Sequence, residues 1–279
     1  MSKLSPTLKA AINAPFARPG PLPASKNIAA IYLAIQREAA SHSLGVFPWL
    51  ALTARLATAA TMTVNSPASL TVLHNLASPD PTAAVQNAAF MREVGLKTIS
   101  FNGIPRALNQ LVHLRSAIPA ETAAQLPTTP TRTLTPASIE QVQPRARALW
   151  NSIYDPHSDK LVDKLEAAHP DLPVHILSNH YGTLLSDFPG AHSPAVGRVL
   201  TSLVAIACLR AQTGVGLQVV SHVYGLRKGV EEGGEEVGEG EKWLSGDEGN
   251  LWALGVVDRV VQAITGEGGS FATYDKAKL

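Results

Sequence analysis

Apolar positions recur along this chain at helical intervals of three and four, and runs that alternate with period two are poor throughout. In "NIAAIYLAIQREAAS" (27–41), Ile28, Ile31, Ile35 and Ala39 fall on one helical face. A second helix is expected after Pro48, in "GVFPWLALTARLATAATM". A third starts with Ser66 as N-cap and Pro67 at the first helical position. "DPTAAVQNAAFMREVGLKTISF" predicts a fourth. A fifth begins near Pro105, after the break at Asn102–Gly103. A second set is expected over 138–153, 158–169, 173–186, 194–212, 214–229 and 249–265. "GLQVVSHVYG" and "VHILSNHYG" are rich enough in β-branched residues to suggest strands, but both lie inside longer helical periods.

The two sets flank "IPAETAAQLPTTPTRTLTPAS", whose prolines and threonines predict a linker over 118–138. The expected organisation is a basic arm (1–26), a helical unit (27–117), the linker, and a second helical unit (139–279). Between the last two helices, 230–248 is rich in Gly and Glu with only Lys242 as a base, and is expected to be a solvated insertion. The fold class is all-α, and two halves of similar size suggest a duplicated helical unit.

Composition narrows the function classes. Hydrophobic residues make up 45% of the 279, enough for a substantial core, and the net charge of +1 offers no general attraction to nucleic acid. No apolar run is long enough to span a bilayer. The single cysteine, Cys208, cannot form an internal disulfide or a CxxC pair, and reads as a buried small hydrophobe. The histidines fit no metal-ligand spacing, so no metal is expected. The glycine-rich stretch is acidic and would repel phosphate, so no nucleotide cofactor is expected. The arm carries Lys3, Lys9, Arg18, Lys26 and Arg37 before the first acid, Glu38, with Leu4, Leu8, Ile12 and Phe16 at intervals of four. That is the composition of a mitochondrial transit peptide, or equally of a loosely docked arm in a cytoplasmic protein.

"LVAIACLRAQTGVGLQVVSHVYGLRKG" resembles the core helix pair of the alkyl hydroperoxidase D-like and carboxymuconolactone decarboxylase-like superfamily. "REVGLKTISFNGIPRALNQL" is similar to that family's closing segment. "ARALWNSIYDP" and "HPDLPVHILSNHYGTLLSD" are similar to the helices leading into its core. The layout looks like the two-unit fungal members, some described as mitochondrial. The resemblance implies two related helical units in tandem and no cofactor.

It also implies a site around His222. The family's peroxidase branch uses two cysteines, whose positions here hold Val215 and Gln218; its Arg-Glu pair falls on Ser202 and Leu203. Neither Val nor Gln can exchange a disulfide, so a two-cysteine peroxidase is not expected. The decarboxylase branch needs no cysteine and acts on a small organic acid. There His222 would be the catalytic group and Gln218 would share its helix face. Arg198, one turn before Ser202, would supply the missing cation, and His180 would line the same cavity. The cavity is expected between the 194–212 and 214–229 helices, with Val215, Val219 and Leu226 as apolar walls. Three alternatives stay open: His222 is a structural core histidine, the chain is an inactive helical scaffold, or further copies of the chain are its partner. His74, near the corresponding place in the first half, reads as a partly exposed helix residue, and Asp258 and Arg259 as groups that pair between helices.

Overall fold

The structure is a computed structural model that describes residues 4–42, 48–188, 195–233 and 237–266; the side chains of 48–53 and 55 lie outside the description. It is all-α, and the described residues contain no strand. In the first half, α1 (Pro6–Ile12) precedes α2 (Ile28–Ser41), α3 (Pro48–Thr63), α4 (Pro67–Ala77), α5 (Pro81–Lys97), the short α6 (Ile99–Asn102) and α7 (Ile104–Ala117). Prolines in the first turn start several of these, where a missing N–H costs nothing. The Asp80 side chain caps α5 by accepting the Ala83 N–H at 2.9 Å. Gly103, at φ 76, makes the left-handed break between α6 and α7 that the Asn-Gly pair predicts.

Two expectations are corrected here. The 118–138 segment is not a free linker. It contains α8 (Ala120–Ala124) and α9 (Pro136–Ile139), and it buries Ile118, Thr122, Ala123 and Leu126. Its Arg132 pairs with buried Glu93 of α5 and donates from Nε to the Thr183 carbonyl at 3.1 Å, tying the two halves together. The acidic 230–248 segment is not simply a solvated insertion either, since α15 (Glu239–Ser245) lies within it. Trp243 stacks on His42 with ring centres 3.9 Å apart and Leu244 is buried, while Glu239, Lys242, Asp247 and Glu248 face water. Residues 234–236 of that segment lie outside the described set.

In the second half, α10 (Val142–Tyr154), α11 (Ser158–Ala168) and α12 (Asp171–His175) lead into a π-helix over Ile176–Leu185. Then come α13 (Gly197–Gln212), α14 (Gly216–Glu232), α15 and α16 (Asp247–Thr265). The helix α13 is deeply buried, with less than a tenth of any residue from Ser202 to Leu209 exposed. It packs on α3 of the first half and on α14 and α16 of the second. One apolar cluster therefore runs from Ile28 through Leu203, Ile206 and Cys208 to Ile264, so the halves share a core. Arg259 of α16 grips Glu38 of α2 with two bonds of 2.6 Å, and Arg210 pairs with Asp258 at 2.7 Å. These are the interhelical pairs expected of Asp258 and Arg259. A second cluster joins α10 to the π-helix through Ala146, Trp150, Ile153, Leu177, Tyr181 and Leu185.

Candidate functional site

The site grows from the contact between α10, the π-helix and α14. Trp150 and Tyr154 lie one turn apart on the inner face of α10. The π-helix comes close because residue 182 is glycine: a Cβ there would meet the Val142 Cγ1 and carbonyl oxygen at 2.7 Å. Its C-terminal end is anchored by Lys97 of α5, fully buried, which donates to the Leu185 carbonyl and meets Asp187 at 2.9 Å. Burial pulls the Lys97 ammonium below its usual range and the Asp187 carboxylate opposes this. A π-helix at this place sets His180 and Tyr181 toward α10 and α6, and such windings are frequent at functional sites.

His222 of α14 completes the arrangement. The Tyr154 and Tyr181 hydroxyls are 2.8 Å apart, and the Tyr154 hydroxyl lies 3.5 Å from His222 Nε2, at the long end of hydrogen-bond range. Phe101 of α6 meets the imidazole edge-on, with ring centres 6.0 Å apart. Burial, and secondarily the charge of Arg198, drives the His222 pKa down to about 3, so the ring is neutral at neutral pH. Burial also holds both phenols protonated, and their mutual bond raises Tyr181 further while lowering Tyr154. Either hydroxyl can donate in the Tyr154–Tyr181 bond; where Tyr181 is the donor, the Tyr154 proton is free to turn toward Nε2. A neutral imidazole accepting at Nε2 carries its own proton on Nδ1. Nδ1 is buried and has no hydrogen-bond partner among the described residues.

These groups wall a cavity of about 450 Å³. It lies between α10, α11, the π-helix, α14 and the α6 end of the first half, with Leu209 of α13 contributing one wall. His222, Gln218 and His180 all line it, so three of the four residues expected at the site are brought together. His180 Nδ1 lies 2.9 Å from the Ser100 hydroxyl, and burial, with help from the nearby His175, lowers its pKa.

Arg198 is not among the wall residues. Its guanidinium bonds the Ser152 hydroxyl at 2.7 Å, the Ser202 hydroxyl at 2.7 Å, and the carbonyls of Ser152 and Gly225 at 2.8 and 2.7 Å. Four of its five N–H donors are spent on clamping α10, α13 and α14. The cavity also lies elsewhere than expected. The surfaces of α13 and α14 that face one another are packed solid, with Leu203 and Leu226 fully buried. Val215 and Val219 border a different surface cleft. His74 is buried rather than partly exposed, with Nε2 3.1 Å from the Ala84 carbonyl oxygen.

Sequence reasoning missed Tyr154, Tyr181, Phe101 and Lys164 as members of the site. The Trp150–Tyr154 pair at i and i+4 was the available signal for one wall. Nothing local signals that Phe101, from the other half, faces His222. A wider cleft of about 880 Å³ lies over Arg92, Glu93, Arg115 and Arg132. Two of its guanidiniums are already engaged, Arg132 by Glu93 and Arg92 by the Pro127 carbonyl.

No family model and no solved structure matches the chain. Over 159 residues it is 32% identical to a protein of Saccharomyces cerevisiae (strain ATCC 204508 / S288c) called Peroxisomal protein 2. That match covers 50% of this chain and 54% of the yeast protein, so it spans about half the length of its curated relative. Cys208 is fully buried, and burial pushes its thiol up to about 12, which leaves almost no thiolate at neutral pH.

Proposed function

We propose that this chain is an alkyl hydroperoxidase D-like, carboxymuconolactone decarboxylase-like protein of two related helical units that acts on an organic acid through His222, without thiol chemistry. The observation that carries the reading is the His222 ring: neutral, set in a cavity wall, with Tyr154 beside Nε2 and Nδ1 unpartnered. A buried imidazole nitrogen without a partner is costly, on the order of 1–3 kcal/mol, so its retention beside the cavity calls for a reason beyond packing. A neutral imidazole in this state is a poor general base. Its natural role is to donate to an oxygen on which negative charge builds, as in the electrophilic stabilisation of an enolate. Gln218 on the same face can hold a second oxygen. The reaction class this supports is a cofactor-free, decarboxylase-like lyase.

Replacing His222 by Ala tests it. The expected outcome is loss of turnover or ligand binding, with the melting temperature changed little. A clearly less stable variant that still binds would instead support the scaffold reading, in which the histidine is structural.

The address of the protein has two supports. The yeast relative's name is peroxisomal. In this sequence Ala277-Lys278-Leu279 differs from the peroxisomal Ser-Lys-Leu address only by loss of one hydroxyl. The basic arm supports the mitochondrial alternative. Such a tripeptide is read only at a free C-terminus, so one fluorescent reporter carries residues 267–279 as its own last residues and a second carries residues 1–40 at its start. We favour the first as the one that leaves the cytosol, in peroxisomal puncta lost when Leu279 is removed. A diffuse signal from it would reject the peroxisomal reading.

A further inference from the structure

The chamber at His222 has a neighbour of opposite character. Tyr154, Leu161, Lys164 and Ser221 wall both it and a second cavity of about 760 Å³, formed by α11, the end of α10 and α14. The inner chamber is bounded by Phe101, Trp150, Leu165, Ile176, Leu185 and Leu209, apolar side chains drawn from both halves. The outer cavity is cationic. Lys160 and Lys164 stand one turn apart on α11 and both border it. Lys228 of α14 borders it too, with its ammonium held at 3.1 Å from the Asp155 carbonyl oxygen. None of the three forms an ion pair with a carboxylate among the described residues. Asp155 is the one acid on the outer wall, and its carboxylate accepts the Ser158 hydroxyl.

An apolar chamber that shares a wall with a cavity lined by ammonium groups in no ion pair suits a molecule with the same division. A dicarboxylate would bury a charge among leucines, where desolvation is expensive. A neutral hydrocarbon would leave the lysines unused. We infer that the ligand is a monocarboxylic acid with an extended apolar body, of the size of a medium-chain fatty acid, whose carboxylate lies in the outer cavity against Lys160, Lys164 and Lys228 and whose body fills the inner chamber up to His222. The inner volume suits a small ligand of this kind. This deepens the reading of the His222 cavity as a ligand site and rests on it. It adds that the carboxylate is anchored away from the imidazole, so the oxygen that His222 and Gln218 would meet is a second one, carried on the body of the ligand.

Decanoate and decan-1-ol, titrated calorimetrically into the full chain at pH 7, test the inference. The expected result is saturable one-to-one binding of decanoate, weakened at least tenfold in the Lys160→Gln, Lys164→Gln double variant. Decan-1-ol should bind more weakly than decanoate to the unaltered chain, and equally to both proteins. Both lysines are exposed on α11, so the variant is expected to fold, with circular dichroism as the check. Absence of saturable decanoate binding overturns the inference, as does a double variant that binds decanoate unchanged. The two readings fail separately. Lysine-dependent decanoate binding supports the inference even where no acid is turned over. His222-dependent turnover of an acid whose binding ignores the lysines overturns the inference alone.

Discussion

His222 shows how one side chain can be restrained without being satisfied. Its Nε2 faces Tyr154, which faces Tyr181, and its Nδ1 faces no protein acceptor among the described residues. The consequence for stability follows from its pKa. In the unfolded chain the ring takes up a proton near pH 6.5, whereas in the folded protein it does so only near 3. Between those values the unfolded state binds more protons, so the full stability present above pH 6.5 is progressively lost on acidification. The slope attributable to this residue approaches about 1.4 kcal/mol per pH unit. Denaturant midpoints measured from pH 7 to 5 should therefore fall more steeply for the natural chain than for a His222→Phe variant. Parallel slopes would show that His222 is already protonated in the fold.

The same residue marks what was legible at this scale. His222, Gln218 and His180 could be placed together from spacing and resemblance. Arg198 could not be separated from them, because a cation one turn from Ser202 looks the same on paper whether it serves a ligand or four backbone and hydroxyl acceptors. Its role is decided by Ser152 and Gly225, which come from helices elsewhere in the chain.

Among the elements, the π-helix does most to shape the site. It begins shortly after Pro173 and carries Gly182, His180 and Tyr181. A period of 3.6 describes "VHILSNHYG" well enough to predict a helix, but the wider winding is fixed by the approach of α10, which no local pattern records. Gly182→Ala would put a methyl group against Val142 at 2.7 Å, well inside contact distance. Overpacking of this kind costs about 1–3 kcal/mol, and here it would also push His180 and Tyr181 away from α10. A lower denaturation midpoint together with weakened decanoate binding is the expected result. A variant of unchanged stability and affinity would show that the crossing has room to spare. The acidic 230–248 segment teaches the complementary lesson. Its composition reads as solvated, yet Trp243 and Leu244 are enough to dock a short helix on α16.

Over the whole molecule, the all-α class and most helix bounds follow from periodicity and prolines, because each is a local property. The sharing of one core is not local. The sequence divides at 118–138 by composition, but α3 packs on α13 and α16, and Arg132, Lys97 and Glu38 each bind across the division. The site inherits this: Ser100 and Phe101 of the first half face His180 and His222 of the second. The central claim, that a neutral imidazole waits in that shared cavity with its proton on Nδ1, can be read directly. Nitrogen–proton correlation spectra of the nine histidine side chains, recorded from pH 8 to 5, should show one ring that stays neutral and carries its proton on Nδ1. That signal should vanish in the His222→Phe variant and shift when decanoate is added. A set of nine rings that all titrate near their ordinary pKa would contradict the account, as would a His222 signal with its proton on Nε2.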